Sequence, residues 1–109
     1  MNIDYGEHYK KSEKSIKKKY EEQRTLDMIK THIKQCKSFT ELEIHPFSIM
    51  YGFELLKYEL AGYYSFNLCK NRGTVRLIFS VSESSNQVCL EYISTDHYAD
   101  FKKIILGKW

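Results

Sequence analysis

Four side chains in the second half of the chain have types that suit phosphodiester chemistry: Glu54, Arg76, His97 and Tyr98. A carboxylate can remove the proton of a ribose 2′-hydroxyl, and a histidine, which titrates near neutral pH, can act as acid or base. An arginine stays charged and donates to two phosphate oxygens through its planar fork. A tyrosine can stack on a base or donate its hydroxyl. These residue types therefore suit RNA cleavage without a metal ion.

Each of the four also has a plainer interpretation. Glu54 can be a solvated surface carboxylate, and Arg76 can form a surface ion pair that contributes little to stability. His97 can cap the helix that follows it, and Tyr98 can belong to the core. Residue type alone therefore allows a site without establishing one.

Three segments predict the strands that position these residues. Residues 63–69, 75–81 and 87–93 are rich in aromatic and β-branched side chains, and turn-forming residues separate them. Short connections make successive strands antiparallel neighbours. Glu54 and Arg76 then approach one end of the sheet, and a residue just after the third strand reaches the same region.

The first third of the chain predicts helices, because apolar residues recur at steps of three and four: Leu26, Ile29, Ile33 and Cys36. We expect two helices, or one long bent helix, over roughly residues 6–37. Ser38 and Glu41 have capping-box spacing and predict a helical turn before Pro46. A last helix is expected over about residues 95–106.

Together these elements predict an α+β fold, in which two N-terminal helices and a C-terminal helix pack on a small antiparallel β-sheet of three to four strands. A chain of 109 residues has the usual size of one domain, so we expect a single domain over residues 1–109.

The net charge of +3 understates the local charge, because lysines crowd the N-terminal segment: Lys10, Lys11, Lys14, Lys17, Lys18 and Lys19. Such a segment attracts phosphate backbones. It can equally be a solvated helix face, since glutamates are interspersed.

Cys36, Cys69 and Cys89 form no CxxC pair, and no Cys–His spacing resembles a zinc site. We therefore expect reduced thiols, no metal and no cofactor. The chain has no apolar stretch long enough to cross a membrane and no apolar segment near Met1 that resembles a signal peptide. We expect a cytoplasmic protein with no membrane partner.

The order of these motifs resembles the RelE/YoeB family of toxin–antitoxin ribonucleases, within the RelE/ParE superfamily. In chain order the matching segments are Glu54-x-x-Lys57, Leu60-Ala61-Gly62-Tyr63, Arg76-Leu77-Ile78-Phe79 and His97-Tyr98. The resemblance covers roughly residues 50–98, and the N-terminal helices by general type. It implies a RelE-like fold.

The resemblance also implies a metal-independent ribonuclease that enters the ribosomal A site, cuts messenger RNA there and so inhibits translation, with a cognate antitoxin as its inhibitor. In this chain Glu54 is then the general base and Arg76 stabilises the phosphate. His97 and Tyr98 form the acid and positioning pair, and which of them donates the proton stays open. Lys57 adds positive charge for RNA binding.

Where relatives carry basic residues on the first strand of the meander, this chain has Phe66 and Asn67. We therefore expect RNA phosphate contacts at Lys70 and Arg72, in the hairpin that follows. The segment after Tyr98 continues beyond the end of the family pattern, and we expect it to shield the cleft or to hold the antitoxin. The N-terminal strand of the family is expected to be very short or absent.

Two other functions stay open. A ParE-like toxin shares the fold but binds DNA gyrase and lacks the acid–base set, and a basic RNA- or protein-binding module can keep the fold without activity. The presence of Glu54, Arg76 and the His97-Tyr98 pair favours the ribonuclease.

Overall fold

The structure is a computed structural model, and it describes residues 1–69 and 73–107. Its five-stranded sheet has the order β1-β5-β4-β3-β2. The strands are β1 (Asn2–Tyr5), β2 (Glu54–Leu55), β3 (Tyr64–Asn67), β4 (Arg76–Ser82) and β5 (Gln87–Ser94). Neighbouring strands are antiparallel except β1, which runs parallel to β5. The meander predicted from the sequence therefore forms the centre of the sheet.

The helices are α1 (Tyr9–Glu13), α2 (Tyr20–Gln35), α3 (Phe39–Ile44), α4 (Pro46–Met50) and α5 (Ala99–Leu106), with 3₁₀ turns at Lys14–Ile16 and Tyr58–Leu60. The α+β class, with helices on a small sheet and a helix at the C-terminal end, is confirmed. In the described ranges, no helix combines the length and the apolar character that a membrane crossing requires.

Strand β1 makes the sheet larger than the three to four strands expected. It pairs with β5 from Asn2 opposite Gln87 to Tyr5 opposite Leu90. The amino group of Met1 donates to the carbonyl oxygen of Cys36, just after α2, at 2.5 Å. Contacts with distant parts of the chain thus stabilise a strand that its own short sequence does not predict.

Serine capping organises the segment between α2 and β2. The Ser38 hydroxyl accepts a hydrogen bond from the Glu41 amide at 3.2 Å, and the Glu41 carboxylate accepts one from the Lys37 amide at 2.7 Å. These bonds satisfy amide groups that a helix N-terminus leaves without intrahelical partners. The capped turn predicted here is α3, and Pro46 begins the next short helix.

The two faces of the sheet carry separate apolar clusters. Leu77 and Phe79 of β4 pack in the larger cluster with residues of α1 and α2, such as Tyr9 and Ile29. Side chains alternate along a strand, so the side chain between them lies on the other face. It is Ile78, which packs in a smaller cluster with Leu56, Leu60 and Phe101. Helix α5 therefore covers part of the face opposite α1 and α2.

Candidate active site

A row of paired residues crosses this second face and ends at Glu54. The register places Glu54 opposite Ser65, Ser65 opposite Ile78, and Ile78 opposite Tyr92. Directly opposed residues project to the same side of a sheet. Because Ile78 and Tyr92 pack with Phe101 of α5, the row lies on the face that α5 covers.

Tyr98 reaches this row from the turn between β5 and α5. Its hydroxyl donates to Oε2 of Glu54 at 3.0 Å and lies 3.0 Å from Oγ of Ser65. A phenol has one proton, which goes to the carboxylate, so Ser65 donates to the Tyr98 oxygen. Ser65 is fully buried and Glu54 is exposed, so this hydrogen-bonded chain runs from the core to the surface.

The surroundings keep Tyr98 protonated at neutral pH. Burial raises its pKa, and the negative charge of Glu54 and the hydrogen bond to it act in the same direction. The hydrogen bond from Ser65 and the positive charge of Arg76 act in the opposite direction. The bond from Tyr98 to Glu54 is thus a charge-assisted hydrogen bond, the stronger kind.

Arg76 begins β4, two residues before the row, and lies on the same face because strand side chains alternate. It is a diagonal neighbour of Ser65, a relation that places two residues about 7–8 Å apart. Its Nη1 donates to the carbonyl oxygens of Gly73, at 3.1 Å, and Val75, at 3.3 Å. These bonds orient the guanidinium from the side of its own loop.

His97 lies beside the pair, with its ring centroid 6.1 Å from that of Tyr98. Its side chain is exposed, and its backbone is in the left-handed region with φ 66°. The His97 amide donates to the Thr74 carbonyl oxygen at 3.0 Å, and the Thr74 hydroxyl donates to the Thr95 carbonyl oxygen at 2.5 Å. The loop before Arg76 is therefore tied to the turn that carries His97 and Tyr98.

Of the three predicted RNA-binding cations, the structure describes Lys57. Lys57 is exposed, between β2 and the turn at Tyr58–Leu60. Lys70 and Arg72 lie outside the described residues. The structure thus brings Glu54 and Tyr98 into direct contact, with Arg76 on the same face.

Ser65 and an aspartate pair belong to the site although the sequence did not single them out. The Ser94 hydroxyl is 3.0 Å from Oδ1 of Asp96 and 2.5 Å from Oδ1 of Asp100. Burial raises the pKa of Asp100; for Asp96 burial acts the same way, but hydrogen bonds from Asp100 and Ser94 lower its pKa overall. The Ser94 hydroxyl therefore ties the end of β5 to the turn that carries Tyr98 and to the start of α5.

A cavity of about 470 Å³ lies elsewhere, between α2 and the α3–α4 segment, where it is lined by residues that include His32, Glu41 and Phe47. It shares no residue with the Glu54–Tyr98 pair. In the part of the chain that the structure describes, no group of three or more His, Cys, Asp or Glu side chains is arranged to hold a metal ion.

The chain has the fold of the RelE/ParE-type toxins, as its motif order predicted. YafQ from E. coli superposes with a TM-score of 0.63 at 18% identity, over 86% of this chain and 91% of that chain. For the YoeB/ParE toxin from Agrobacterium tumefaciens the TM-score is 0.57 at 18% identity, over 87% and 98% of the two chains.

A chain of the E. coli DinJ-YafQ toxin–antitoxin complex matches with a TM-score of 0.61 at 18% identity, over 91% of this chain and 93% of that chain. No family model matches the sequence, and no curated protein matches it. At these identities the similarity defines the fold, and the site must supply the functional argument.

Proposed function

We propose that the chain is the toxin of a toxin–antitoxin pair and a metal-independent endoribonuclease that cleaves messenger RNA on the ribosome. The hydrogen bond from Tyr98 to the exposed carboxylate of Glu54, with Arg76 on the same sheet face, is the observation that carries this proposal. The shared fold with YafQ and YoeB toxins supports the class of function.

Glu54 is the general base of the proposed reaction. Its exposed carboxylate removes the proton of a ribose 2′-hydroxyl, and the 2′-oxygen then attacks the adjacent phosphorus. The bond from phosphorus to the 5′-oxygen breaks. The products are a 2′,3′-cyclic phosphate and a 5′-hydroxyl end, and the proton on Glu54 returns to solvent.

His97 is the general acid, and Tyr98 positions Glu54. The attacking and leaving oxygens lie on opposite sides of phosphorus in an in-line displacement, so the base and the acid must approach from opposite sides. Two groups that are hydrogen-bonded to each other at 3.0 Å, as Tyr98 and Glu54 are, approach from one side. We therefore assign protonation of the leaving 5′-oxygen to the exposed imidazole of His97, whose ring centroid lies 6.1 Å from that of Tyr98.

Arg76 stabilises the charge that develops on the phosphorus oxygens. Its Nη1 donates to the carbonyl oxygens of Gly73 and Val75. We assign the contact with the phosphate to the other guanidinium nitrogens, Nη2 and Nε, which also carry protons. An arginine that is oriented before the substrate arrives needs little reorganisation in the transition state.

The partners follow from the same proposal. An antitoxin is expected because a relative of the same fold is described in a complex of DinJ and YafQ. The ribosome is expected to be bound through basic groups on the surface, since every lysine of the N-terminal cluster is exposed: Lys10, Lys11, Lys14, Lys17, Lys18 and Lys19. Lys57, Lys70 and Arg72 are the further proposed RNA contacts.

The test is cleavage of a defined messenger RNA in excess EDTA, with naked RNA compared with RNA on ribosomes whose A site is empty. Sedimentation checks that the complexes survive the chelator. Arg76→Ala and Glu54→Gln are the inactive variants, and Glu83→Gln, an exposed carboxylate in the β4–β5 turn, is the matched control. Cleavage of the ribosome-bound RNA without cleavage of the naked RNA supports the full proposal.

Cutting of naked RNA would retain the ribonuclease and remove the ribosome from the proposal. Equal cleavage by Arg76→Ala would contradict the assigned chemistry. No cleavage by the folded wild type would favour gyrase inhibition, in keeping with the neighbour described as a YoeB/ParE toxin, or an inactive binding module.

A further inference from the structure

Two residues with unusual backbone conformations flank the Glu54–Tyr98 pair. Among the described residues, the non-glycine residues with positive φ are Tyr58 (57°), Asn86 (52°) and His97 (66°). Asparagine and histidine adopt this conformation more readily than most residues, whereas for a bulky residue such as Tyr58 it is strained and calls for an explanation. His97 directly precedes Tyr98, and Tyr58 follows Glu54 by four residues. Strain at such positions is typical of functional sites.

The rest of the fold covers little of the Tyr58 side chain. Its side chain is 89% exposed, and it belongs to neither of the two apolar clusters found in residues 1–69 and 73–107. A tyrosine normally covers part of its ring with neighbouring groups. Strain and exposure together indicate that this ring serves a ligand.

Contacts on both sides of Tyr58 hold its turn in place. The carboxylate of Glu59 lies 3.5 Å from Nζ of Lys102 on α5, and Leu60 is buried in the smaller apolar cluster. The Leu60 amide donates to the Lys57 carbonyl oxygen at 3.2 Å. The turn therefore presents the ring to solvent from an anchored backbone.

The position of the ring suits a nucleic-acid base. The four-residue separation from Glu54 limits the distance between their Cα atoms to about 14 Å. Lys57 directly precedes Tyr58 in the chain and is also exposed, so this turn presents both an aromatic ring and a positive charge to solvent. Stacking on an aromatic ring beside a cation is how single-stranded RNA is commonly bound.

We propose that Tyr58 stacks on an unpaired base of the RNA next to the cleaved phosphate. The inference rests on the proposed function, because that function supplies single-stranded RNA at Glu54. Stacking tolerates any base, so Tyr58 contributes affinity and register more than sequence choice.

The test measures binding of a short 2′-O-methyl oligoribonucleotide that contains 2-aminopurine, a fluorescent base that stacking quenches. The missing 2′-hydroxyl prevents cleavage, so binding is read without chemistry. Wild type should quench the probe at low salt. Tyr58→Ala should lose the quenching and bind roughly 5- to 150-fold more weakly, the usual effect of removing one stacked ring, while Tyr58→Phe should bind as wild type does.

Tyr20→Ala is the matched control, because Tyr20 is also highly exposed, at 79%, but begins α2. Tyr58→Gly adds a second readout: glycine relieves the positive φ, so the thermal midpoint should stay or rise while binding falls. A purely structural role for Tyr58 predicts that Tyr58→Gly lowers the midpoint.

Failure of this inference is distinguishable from failure of the proposed function. Equal quenching and affinity in wild type and Tyr58→Ala, or no quenching by wild type, would overturn the stacking role whether or not wild type cleaves RNA. In that case the exposed ring is better explained as a protein contact. Quenching that depends on Tyr58, in a protein that cleaves no RNA, would support stacking and remove the ribonuclease.

Discussion

The hydroxyl of Tyr98 and the carboxylate of Glu54, 44 positions apart in the chain, are joined by a 3.0 Å hydrogen bond. The bond links the turn before α5 to β2 at the edge of the sheet. It also orients Oε2 of Glu54, while the buried Ser65 hydroxyl forms a hydrogen bond with the Tyr98 oxygen. If Glu54 is the base, its efficiency depends on this orientation.

Tyr98→Phe should slow cleavage roughly 10- to 100-fold, the usual value of a hydrogen bond to a charged group. Glu54→Gln should slow it a hundredfold or more. Because Tyr98 acts through Glu54, the double variant should be no slower than Glu54→Gln alone. The measurement is single-turnover cleavage of ribosome-bound RNA by wild type, both single variants and the double variant. Additive losses would mean that Tyr98 acts independently of Glu54.

His97→Gln should lower cleavage by on the order of a hundredfold or more, because the leaving 5′-oxygen loses its proton donor. An RNA with sulfur in place of that oxygen bypasses the need, since a thiolate is a far better leaving group. We expect His97→Gln to cleave the sulfur substrate nearly as fast as wild type, and Glu54→Gln to remain slow on it. If the sulfur substrate rescues Tyr98→Phe and leaves His97→Gln slow, the two roles are exchanged.

Arg76→Ala should lower cleavage roughly a hundredfold or more, because the phosphorus oxygens lose the cation that stabilises them. The fold should keep its stability, because the guanidinium is partly exposed and its hydrogen bonds reach only its own loop. Arg76→Lys retains the charge but loses the fork, so it should recover only part of the rate. Arg24→Ala, an exposed arginine on α2, is the control. Full activity in Arg76→Lys would mean that charge alone suffices.

The sequence predicted the elements whose signals are local. The strands of the meander are rich in aromatic and β-branched residues and are separated by turn-forming residues, and Ser38 and Glu41 have capping-box spacing. Both the strands and the α3 cap therefore lie where the sequence predicted them. Strand β1 was expected to be very short or absent, whereas the structure contains it over Asn2–Tyr5. It is stabilised by pairing with β5 and by the hydrogen bond from the Met1 amino group to Cys36. Such long-range contacts leave no periodic signal in a segment this short.

The candidate site divides in the same way. Glu54, Arg76, His97 and Tyr98 were named as candidates from motif order. The hydrogen bond between Tyr98 and Glu54 was not predicted, because the two residues lie 44 positions apart and only the pairing of the strands brings them together. Ser65 carried no signal, since a serine in a strand is more often an ordinary polar residue. The strain at Tyr58 is likewise a property of the backbone, which composition does not reveal.

The protein should lose stability as the pH falls below about 6.5, and His32 should cause part of that loss. Burial, together with the nearby His45, lowers the pKa of His32, whose Nε2 lies 2.9 Å from the Ser48 hydroxyl. The folded state therefore keeps His32 neutral over a pH range in which the unfolded chain takes up a proton. The unfolded state binds more protons there, so the free energy of unfolding decreases as the pH falls from about 6.5 toward the lowered pKa.

His32→Gln should reduce this pH dependence, because the glutamine amide can replace Nε2 as the partner of Ser48 and does not titrate. Urea unfolding at pH 7.5 and pH 5.5 measures the effect, with His8→Gln as the control because His8 is exposed. We expect the difference in unfolding free energy between the two pH values to shrink in His32→Gln and to stay near the wild-type value in His8→Gln. An unchanged difference in His32→Gln would assign the acid sensitivity to groups other than His32.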